Sequence, residues 1–189
     1  MHSRAPHNAR IIAPLLDFKN VKVLLDVGGG SGDFSFEFIR KNKNLKAVVF
    51  DLPNVTQITE KYIAMEGMEE IVKTVPGDYL TDEIGEGYDL AFLSAVIHSN
   101  SPDENKLLFK KCFNALNNKG QIVILDYIMD DKRTEPLMGA LFALNMLVGT
   151  DKGDTYTEKE ISSWMKEAGF KRIKKITTPL DTALMIGSR

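Results

Sequence analysis

The sequence predicts an α/β protein with a doubly wound, Rossmann-like sheet of seven strands, mostly parallel, with one antiparallel strand near the edge. Two observations point to it: short apolar runs alternate with helical segments, and a glycine-rich loop follows the first apolar run. Strands that are buried on both faces of a parallel sheet have this near-continuous apolar character. The chain has 189 residues, a length that suits one compact domain spanning 1–189.

The predicted elements alternate along the chain. Strands are predicted at 23–27, 47–51, 71–75, 88–96, 121–127, 171–177 and 182–188. Helices are predicted at 34–39, 55–65, 103–116, 136–148 and 157–168. Only a short turn around Pro179 separates the last two strands, and a connection this short cannot hold a crossover helix. These two strands must therefore pair antiparallel, which accounts for the one antiparallel strand near the edge.

Composition excludes several classes of function. The net charge is −2 and the pI is near 6.0, so no basic surface for nucleic acid is expected. No apolar run approaches the roughly 20 residues of a membrane span. Because Cys112 is the single cysteine, the chain can form no internal disulfide, which fits a cytoplasmic protein. Cys112 and Trp164 lie at helical spacing with apolar neighbours, so we expect both in the core.

The histidines and cysteine do not indicate a metal site. His2 and His7 lie in a start that we expect to be irregular, and no Cys/His cluster has the spacing of a zinc site. We therefore predict that the chain binds no metal.

The loop after the first strand is the main functional signal in the sequence. It reads Asp26-Val27-Gly28-Gly29-Gly30-Ser31-Gly32, and glycines there allow positive φ and close approach of a ligand to bare backbone. The dinucleotide pattern G-x-G-x-x-G fails, because Asp33 occupies the last glycine position. The pattern acid-x-G-x-G-x-G fits instead, with Asp26 placed to attract a cationic amino group. The structural alternative is a tight turn between strand and helix.

Two further acidic residues follow predicted strands. Asp51 ends the second strand, where a carboxylate can accept hydrogen bonds from both hydroxyls of a ribose. Asp78 follows the third strand and can accept a hydrogen bond from an adenine amino group, with Tyr79 packing on the ring. Asp51 has an alternative role as a helix cap, because Pro53 follows closely. Three acids at the ends of successive strands favour a nucleotide-like ligand over three separate structural roles.

Six segments covering nearly the whole chain resemble one enzyme family in the same order: LLDVGGGSGDFS (24–35), VVFDLPNV (48–55), PGDYL (76–80), the loop at His98, ALNNKGQIVILDYIM (115–129) and TEKEISSWMKEAGF (157–170). The chain resembles the catalytic domain of the class I O-methyltransferases of the caffeic-acid, hydroxyindole and hydroxyneurosporene type. The resemblance implies that the cofactor is S-adenosylmethionine, with S-adenosylhomocysteine as product. It implies these contacts: Gly28 and Gly30 line the cofactor, Asp51 binds ribose, Leu52 covers adenine, Asp78 and Tyr79 contact the base, and Ser94 lies near the methionine moiety.

The resemblance also identifies His98 as the candidate base. A phenol or enol is acidic enough for a histidine to deprotonate near neutral pH, and Asp126, at the end of the next strand, can hold the imidazole. In the plant enzymes of this family the histidine is followed by Asp-Trp, whereas Ser99-Asn100 follow here. Thr155 stands where the family has a further acid. The structural alternative for His98 is a histidine that only hydrogen-bonds within its loop.

The expected function is S-adenosylmethionine-dependent O-methylation of a small hydroxylated aromatic or polyene metabolite, by in-line displacement at a sulfonium methyl group. The alternative from another class is a regulatory or accessory module that binds S-adenosylmethionine or S-adenosylhomocysteine without turnover. An NAD-dependent reductase is disfavoured by Asp33 in the glycine loop.

The helix predicted at 136–148 bears on assembly. The resemblance implies an N-terminal helical domain that dimerises and covers the acceptor, and we expect that these 189 residues, in which the first strand comes early, do not include it. The predicted helix is apolar almost all round, and one sheet face cannot bury such a helix completely. We therefore expect an exposed apolar surface there, which either forms a homodimer or lines an acceptor groove. A deeply buried core helix is the alternative.

Overall fold

A seven-stranded sheet forms the centre of the computed structural model, which describes residues 5–189. The strands are, in chain order, β1 (Val23–Val27), β2 (Lys46–Asp51), β3 (Val72–Pro76), β4 (Tyr88–Ser94), β5 (Leu116–Asp126), β6 (Ile128–Met129), β7 (Tyr156–Thr157), β8 (Lys171–Thr177) and β9 (Ala183–Ser188). The large sheet has the order β3-β2-β1-β4-β5-β9-β8, and β6 pairs with β7 separately. The strand order reverses between β1 and β4, which is where doubly wound folds open a crevice for ligands.

The strand directions confirm the predicted sheet. Strands β3, β2, β1, β4 and β5 pair in parallel, whereas β9 is antiparallel to both of its neighbours, β5 and β8. The connection between Thr177 and Ala183 is too short for a crossover, so the chain turns back beside β8 and inserts β9 next to β5. One antiparallel strand, second from the edge, is the result.

Helices cover the sheet at the following positions: α1 (Ala5–Ile12), α2 (Asp33–Lys41), α3 (Pro53–Glu66), α4 (Pro102–Ala115), α5 (Leu137–Gly149) and α6 (Glu158–Ala168). The last five agree with the sequence prediction. The expectation of an irregular start is wrong from Ala5 onward, because α1 forms there and buries Ala9 and Ile12. His7 is exposed on α1, and His2 lies outside the described residues.

Two strand boundaries differ from the prediction. Strand β5 begins at Leu116 rather than at 121, because Leu116 pairs with Tyr88 before the register shifts. Strand β4 ends at Ser94 rather than at 96, because Ala95 has φ +57° and leaves the extended conformation. This turn leads directly into a short 3-10 helix, Ile97–Ser99, which carries the candidate base.

The core lies on both faces of the sheet, as expected for parallel strands. Successive side chains of β1 enter opposite faces: Leu24 packs with Phe38 in one cluster, and Leu25 packs with Cys112 and Trp164 in the other. Cys112 is 0% exposed and Trp164 is 6% exposed, which confirms that both are core residues.

Helix α5 departs from this pattern. Of its residues only Gly139 and Met146 are buried. Six large apolar side chains, which we call the α5 apolar face, are between 46% and 88% exposed: Leu137, Met138, Leu141, Leu144, Leu147 and Val148. The expected exposed apolar surface is therefore confirmed, and the alternative of a deeply buried core helix is wrong.

The described range, 5–189, contains neither a membrane-spanning helix nor a cluster of metal ligands. No helix in it has the length and apolar character needed to cross a bilayer. No group of three or more His, Cys, Asp and Glu side chains in it is arranged to hold a metal ion.

Candidate active site

The carboxyl ends of five neighbouring strands meet at one edge of the sheet. Asp51 of β2 pairs with Pro76 of β3, and Val27 of β1 pairs with Leu93 of β4. Strand β5 follows in the same direction and ends at Asp126. The loops that leave β3, β2, β1, β4 and β5 therefore stand side by side, and the predicted site residues come together because the topology joins these strand ends.

The loop after β1 requires bare backbone. Gly28 has φ +65° and Gly30 has φ +58°, a left-handed conformation that glycine adopts without strain. A Cβ at Gly28 would lie 2.9 Å from Cγ2 of Val96, whereas a Cβ at Gly30 would meet no atom within 4 Å. Gly28 is therefore packed closely against the β4 side, and the backbone at Gly30 borders open space that a ligand can approach.

Asp26 lies beneath this loop. It is 1% exposed, its Oδ2 accepts a hydrogen bond from Oγ of Ser35 at 2.7 Å, and a Cβ at Gly29 would lie 2.7 Å from its Cγ. Burial raises the pKa of Asp26 to about 7, against the opposing effect of the Ser35 hydrogen bond, and the nearby charge of Asp51 adds to the rise. Asp26 therefore faces the loop from below as a buried carboxyl group whose proton is retained up to about pH 7.

The Asp51 carboxylate holds the glycine loop in place by a hydrogen bond. Its Oδ2 accepts the N–H of Gly30 at 2.8 Å and its Oδ1 accepts the N–H of Leu52 at 2.8 Å. The hydroxyl of Thr59 donates to the carbonyl oxygen of Gly30 at 2.5 Å, so Gly30 is held at both polar atoms. Helix α3 begins after Leu52 without a side-chain cap, which rules out the helix-cap alternative for Asp51. Leu52 itself is 45% exposed beside this carboxylate.

The loop after β3 holds the predicted base contacts. Oδ1 of Asp78 accepts the N–H of Leu80 at 2.8 Å, and Oδ2 of Asp82 accepts the N–H of Asp78 at 2.9 Å. The hydroxyl of Tyr79 donates to Oδ1 of Asn100 at 3.0 Å. Burial raises the pKa of Tyr79 above its ordinary value, so the hydroxyl stays protonated and remains a donor.

His98 and Asp126 form a directly bonded pair. Nδ1 of His98 lies 2.9 Å and 3.0 Å from the two carboxylate oxygens of Asp126, and Asp126 is 3% exposed. A carboxylate only accepts, so Nδ1 carries the ring proton and Nε2 is the free acceptor nitrogen. The N–H of Tyr127 donates to Oδ1 of Asp126 at 2.9 Å, which fixes the carboxylate. The histidine is therefore held in the tautomer that can take up a proton at Nε2.

Aromatic rings adjoin this pair. Phe142 of α5 packs edge to face on His98, with ring centroids 4.8 Å apart, and lies 5.0 Å from the ring of Tyr127. Helix α5 thus touches the domain next to the candidate base. The sequence did not single out Phe142, because it is one of many apolar residues in that helix.

Thr155 stands at the position where the resemblance places a further acid, and its hydroxyl cannot carry that charge. Thr155 is 2% exposed, and its carbonyl oxygen accepts a hydrogen bond from the guanidinium of Arg133 at 2.6 Å. The same guanidinium binds Asp154 at 2.8 Å and Glu160 at 2.7 Å. Both nearby carboxylates are thus paired with Arg133, a residue that the sequence analysis missed because its partners lie more than 20 positions away.

A groove of about 490 Å³ adjoins the site without containing it. It is lined by Leu144 and Leu147 of α5 and by the loop 150–154. The N–H of Asp154 donates to the carbonyl oxygen of His98 at 3.0 Å, so the loop that lines the groove is bonded to the His98 segment. The strand ends, rather than this groove, define the position of the site.

Comparisons with known proteins agree with this geometry. Residues 5–171 match the family model of the O-methyltransferase domain. A 3-hydroxy-5-methyl-1-naphthoate 3-O-methyltransferase of Streptomyces sahachiroi is 33% identical over 168 residues, which are 89% of this chain and 48% of that protein. An L-tyrosine C(3)-methyltransferase of Streptomyces lavendulae is 29% identical over 160 residues, which are 84% of this chain and 44% of that protein.

The solved structures give the same result. Human N-acetylserotonin methyltransferase in complex with SAM is similar with a TM-score of 0.87 at 25% identity, over 96% of this chain and 51% of that one. The chain spans about half the length of the curated relatives described above. The sheet order, the glycine loop and the match over residues 5–171 lead to one conclusion: the chain belongs to the O-methyltransferase domain family.

Proposed function

We propose that the chain is the catalytic domain of an S-adenosylmethionine-dependent methyltransferase that methylates a hydroxyl group of a small aromatic metabolite. The observation that carries the proposal is the bonded pair of His98 and Asp126, at the same sheet edge as the glycine loop. Deprotonation of an acceptor hydroxyl is assisted by a base held in a defined tautomer, and the hydrogen bond between Nδ1 of His98 and Asp126 supports that role.

The residues of the sheet edge fit the cofactor. The backbone at Gly30 borders open space, and Asp51 has lone pairs beyond those used by the two backbone N–H groups it accepts. We assign the cofactor contacts as follows: ribose to Asp51, adenine to Leu52, Asp78 and Tyr79, and the methionine part to Gly28, Gly30 and Ser94, with the buried carboxyl group of Asp26 below. When bound, the cofactor supplies a methyl group on a cationic sulfur, an electrophile that needs alignment rather than activation.

His98 does the acid–base work in this proposal. Its Nε2 accepts the proton of the acceptor hydroxyl, and the carboxylate of Asp126 stabilises the imidazolium that forms. The side chain of His98 is 12% exposed, which leaves a route for the proton to solvent afterwards. General-base catalysis of this kind contributes about 10²–10⁴-fold in rate.

An aromatic acceptor is supported by the rings of Phe142 and Tyr127 beside His98 and by the name of the naphthoate methyltransferase. The L-tyrosine C(3)-methyltransferase is named for transfer to carbon. Deprotonation of a phenol increases the nucleophilicity of its oxygen and of its ring carbons alike, so the same base serves both outcomes. We propose oxygen as the acceptor atom, and the experiment has to identify the methylated atom.

The decisive experiment is transfer from ¹³C-methyl-labelled S-adenosylmethionine to a panel of phenols, naphthols and hydroxyindoles, read by ¹³C NMR. We expect an O-methyl signal with at least one acceptor, and loss of that signal in His98→Gln with S-adenosylhomocysteine binding retained. A C-methyl signal would correct the acceptor atom. Binding without transfer across the panel would favour the accessory module, and tighter binding of NAD would overturn the proposal.

We also propose that the α5 apolar face is covered in the working protein, by a second copy or by further residues of a longer chain. Exposed side chains of this size and number are typical of interaction surfaces. A reducing cytoplasm is the proposed location, supported by a single, buried cysteine, Cys112. Cell fractionation tests the location. The oligomeric state in solution tests whether a second copy covers the α5 apolar face.

A further inference from the structure

A chain of buried hydrogen bonds joins the loop after β3 to the segment that carries His98. The hydroxyl of Tyr79 donates to Oδ1 of Asn100 at 3.0 Å. Nδ2 of Asn100 donates to Oδ1 of Asn105 at 3.1 Å, and Nδ2 of Asn105 donates to the carbonyl oxygen of Ile97 at 2.9 Å. Ile97 directly precedes His98. Asn100 is 3% exposed and Asn105 is 0% exposed, so water does not compete for the two buried bonds that Asn105 makes.

The donor and the acceptor of each hydrogen bond in this series are fixed. The carbonyl of Ile97 can only accept, so Asn105 must turn its Nδ2 toward it and its Oδ1 toward Asn100. Asn100 must then present Nδ2 to Asn105, which leaves its Oδ1 for Tyr79. The Tyr79 hydroxyl therefore has to donate, and reversing any one amide would leave two acceptors or two donors facing each other. Each member thus has one permitted orientation.

Helix α4 contacts both ends of this series of hydrogen bonds. Asn105 lies in its first half, and Lys111, further along the helix, donates from Nζ to three backbone carbonyls of the loop after β3, at 3.0, 3.2 and 2.7 Å: those of Tyr79, Leu80 and Asp82. The hydroxyl of Tyr156 donates to the carbonyl oxygen of Asn100. Asn100 is therefore fixed through its backbone as well as its side chain.

Breaking one link has a defined consequence. A buried amide that loses its partner keeps the full penalty of its lost hydration. A displacement of the Tyr79 ring is therefore transmitted to Asn100 and Asn105, and through the Ile97 carbonyl to the turn that orients His98. Asn100 also occupies the place of the tryptophan that follows the histidine in the plant enzymes, so the link depends on a residue in which this chain departs from them.

We propose that Asn100 is a positioning residue. It couples binding of adenine beside Tyr79 to the orientation of the His98 imidazole. The coupling rests on the proposed function, in which Tyr79 contacts adenine and His98 is the base. Binding of the adenine moiety then sets the imidazole in the orientation in which it accepts the acceptor's proton.

The test records the imidazole ¹⁵N shifts of His98 by NMR, without and with saturating S-adenosylhomocysteine, with His98→Gln used for assignment. Tyr79→Phe removes the first link by deleting a single oxygen atom, and Asn105→Leu removes the last. Tyr88→Phe is the matched control, because the Tyr88 hydroxyl is also buried and bonds the carbonyl of Ile84 at 3.2 Å, outside the chain. Calorimetry measures binding of S-adenosylhomocysteine to each variant.

We expect the ligand to shift the His98 signals in the wild type and in Tyr88→Phe, and the shift to be largely lost in Tyr79→Phe and Asn105→Leu. Affinity in Tyr79→Phe should weaken by about two- to tenfold, the equivalent of one net hydrogen bond. The coupling would be overturned if the ligand shifted the His98 ¹⁵N signals in Tyr79→Phe as much as in the wild type. It would also be overturned if the wild type bound the ligand without any change in those signals. A wild type that does not bind the ligand would overturn the proposed function, and the coupling with it.

Discussion

The sheet edge that holds the proposed cofactor contacts and the α5 apolar face are built in opposite ways. At the edge, Asp51 accepts two backbone N–H groups, Asp26 accepts the Ser35 hydroxyl and Asp126 holds His98. On α5, large apolar side chains are up to 88% exposed, and the buried residues of the helix are Gly139 and Met146. The chain's own hydrogen bonds therefore hold the residues of the sheet edge in place, whereas the α5 apolar face is left uncovered. Four predictions test this contrast.

The largest effect is expected at the candidate base. Replacing His98 by Gln removes the proton acceptor but keeps a polar side chain beside Asp126. Methyl transfer should fall by about 10²–10⁴-fold, with affinity for S-adenosylhomocysteine within about twofold of the wild type, because other residues make the proposed contacts with the cofactor. Initial rates and calorimetry on the same preparation decide this, and a variant with full activity would reduce His98 to a structural residue.

Asp51→Ala should cause the next largest effect. It leaves two ribose hydroxyls without a charged acceptor and releases the N–H groups of Gly30 and Leu52. Hydrogen bonds to a charged group contribute about 1.5–3 kcal/mol, so the affinity for S-adenosylhomocysteine should drop about tenfold or more. Asp103→Ala is the control, because that side chain is 94% exposed. An unchanged dissociation constant in folded Asp51→Ala would remove the residue from the site.

Asp26→Asn should have a smaller effect, on how stability depends on pH. Burial raises the pKa of Asp26 from 3.8 to about 7, so the folded chain keeps a proton that the unfolded chain releases. The stability from this carboxyl is therefore complete below about pH 4 and is lost as the pH rises to about 7. Because asparagine does not titrate, the Tm of the variant should fall less between pH 4 and pH 8 than the Tm of the wild type. At pH 8 the variant should have the higher Tm. Thermal melts that run parallel to those of the wild type would contradict a buried, titrating Asp26.

The smallest effect on stability is expected on α5. Leu144 and Leu147 are 61% and 74% exposed, so replacing both by Ser should change the free energy of unfolding by only about 0.5 kcal/mol. Cofactor affinity should not change. Self-association of the wild type, measured by light scattering over a range of concentrations, should be reduced in the variant. A wild type that stays a monodisperse monomer at high concentration would exclude a second copy as the cover of this face.

The sequence predicted the elements and residues of the sheet edge more completely than the rest, because the signals for them are local. The strand ends, the glycine pattern and the position of Asp51 can be predicted because each depends on elements that adjoin it in the sequence. The partnership of His98 and Asp126 could also be anticipated, since both residues follow neighbouring strands. The exposure of α5 followed from its lack of a polar face.

The errors and omissions concern contacts between distant segments. No local pattern predicted α1, the start of β5 at Leu116, or the burial of Asp26 under Gly29. It also missed Arg133, which joins partners 21 to 27 positions away. Such pairings depend on where loops meet in space, and nothing in the local residue pattern encodes that.

By itself, the sequence determined the doubly wound sheet, the antiparallel strand near its edge and the acids at successive strand ends, because burial and chain connectivity act over short stretches. The tertiary structure decided the tautomer of His98, the role of Asp51 in pinning the glycine loop, and the directed chain from Tyr79 through Asn100 and Asn105 to Ile97. These are hydrogen bonds between groups brought together by folding, and their direction is set by which buried atoms are left to donate and which to accept.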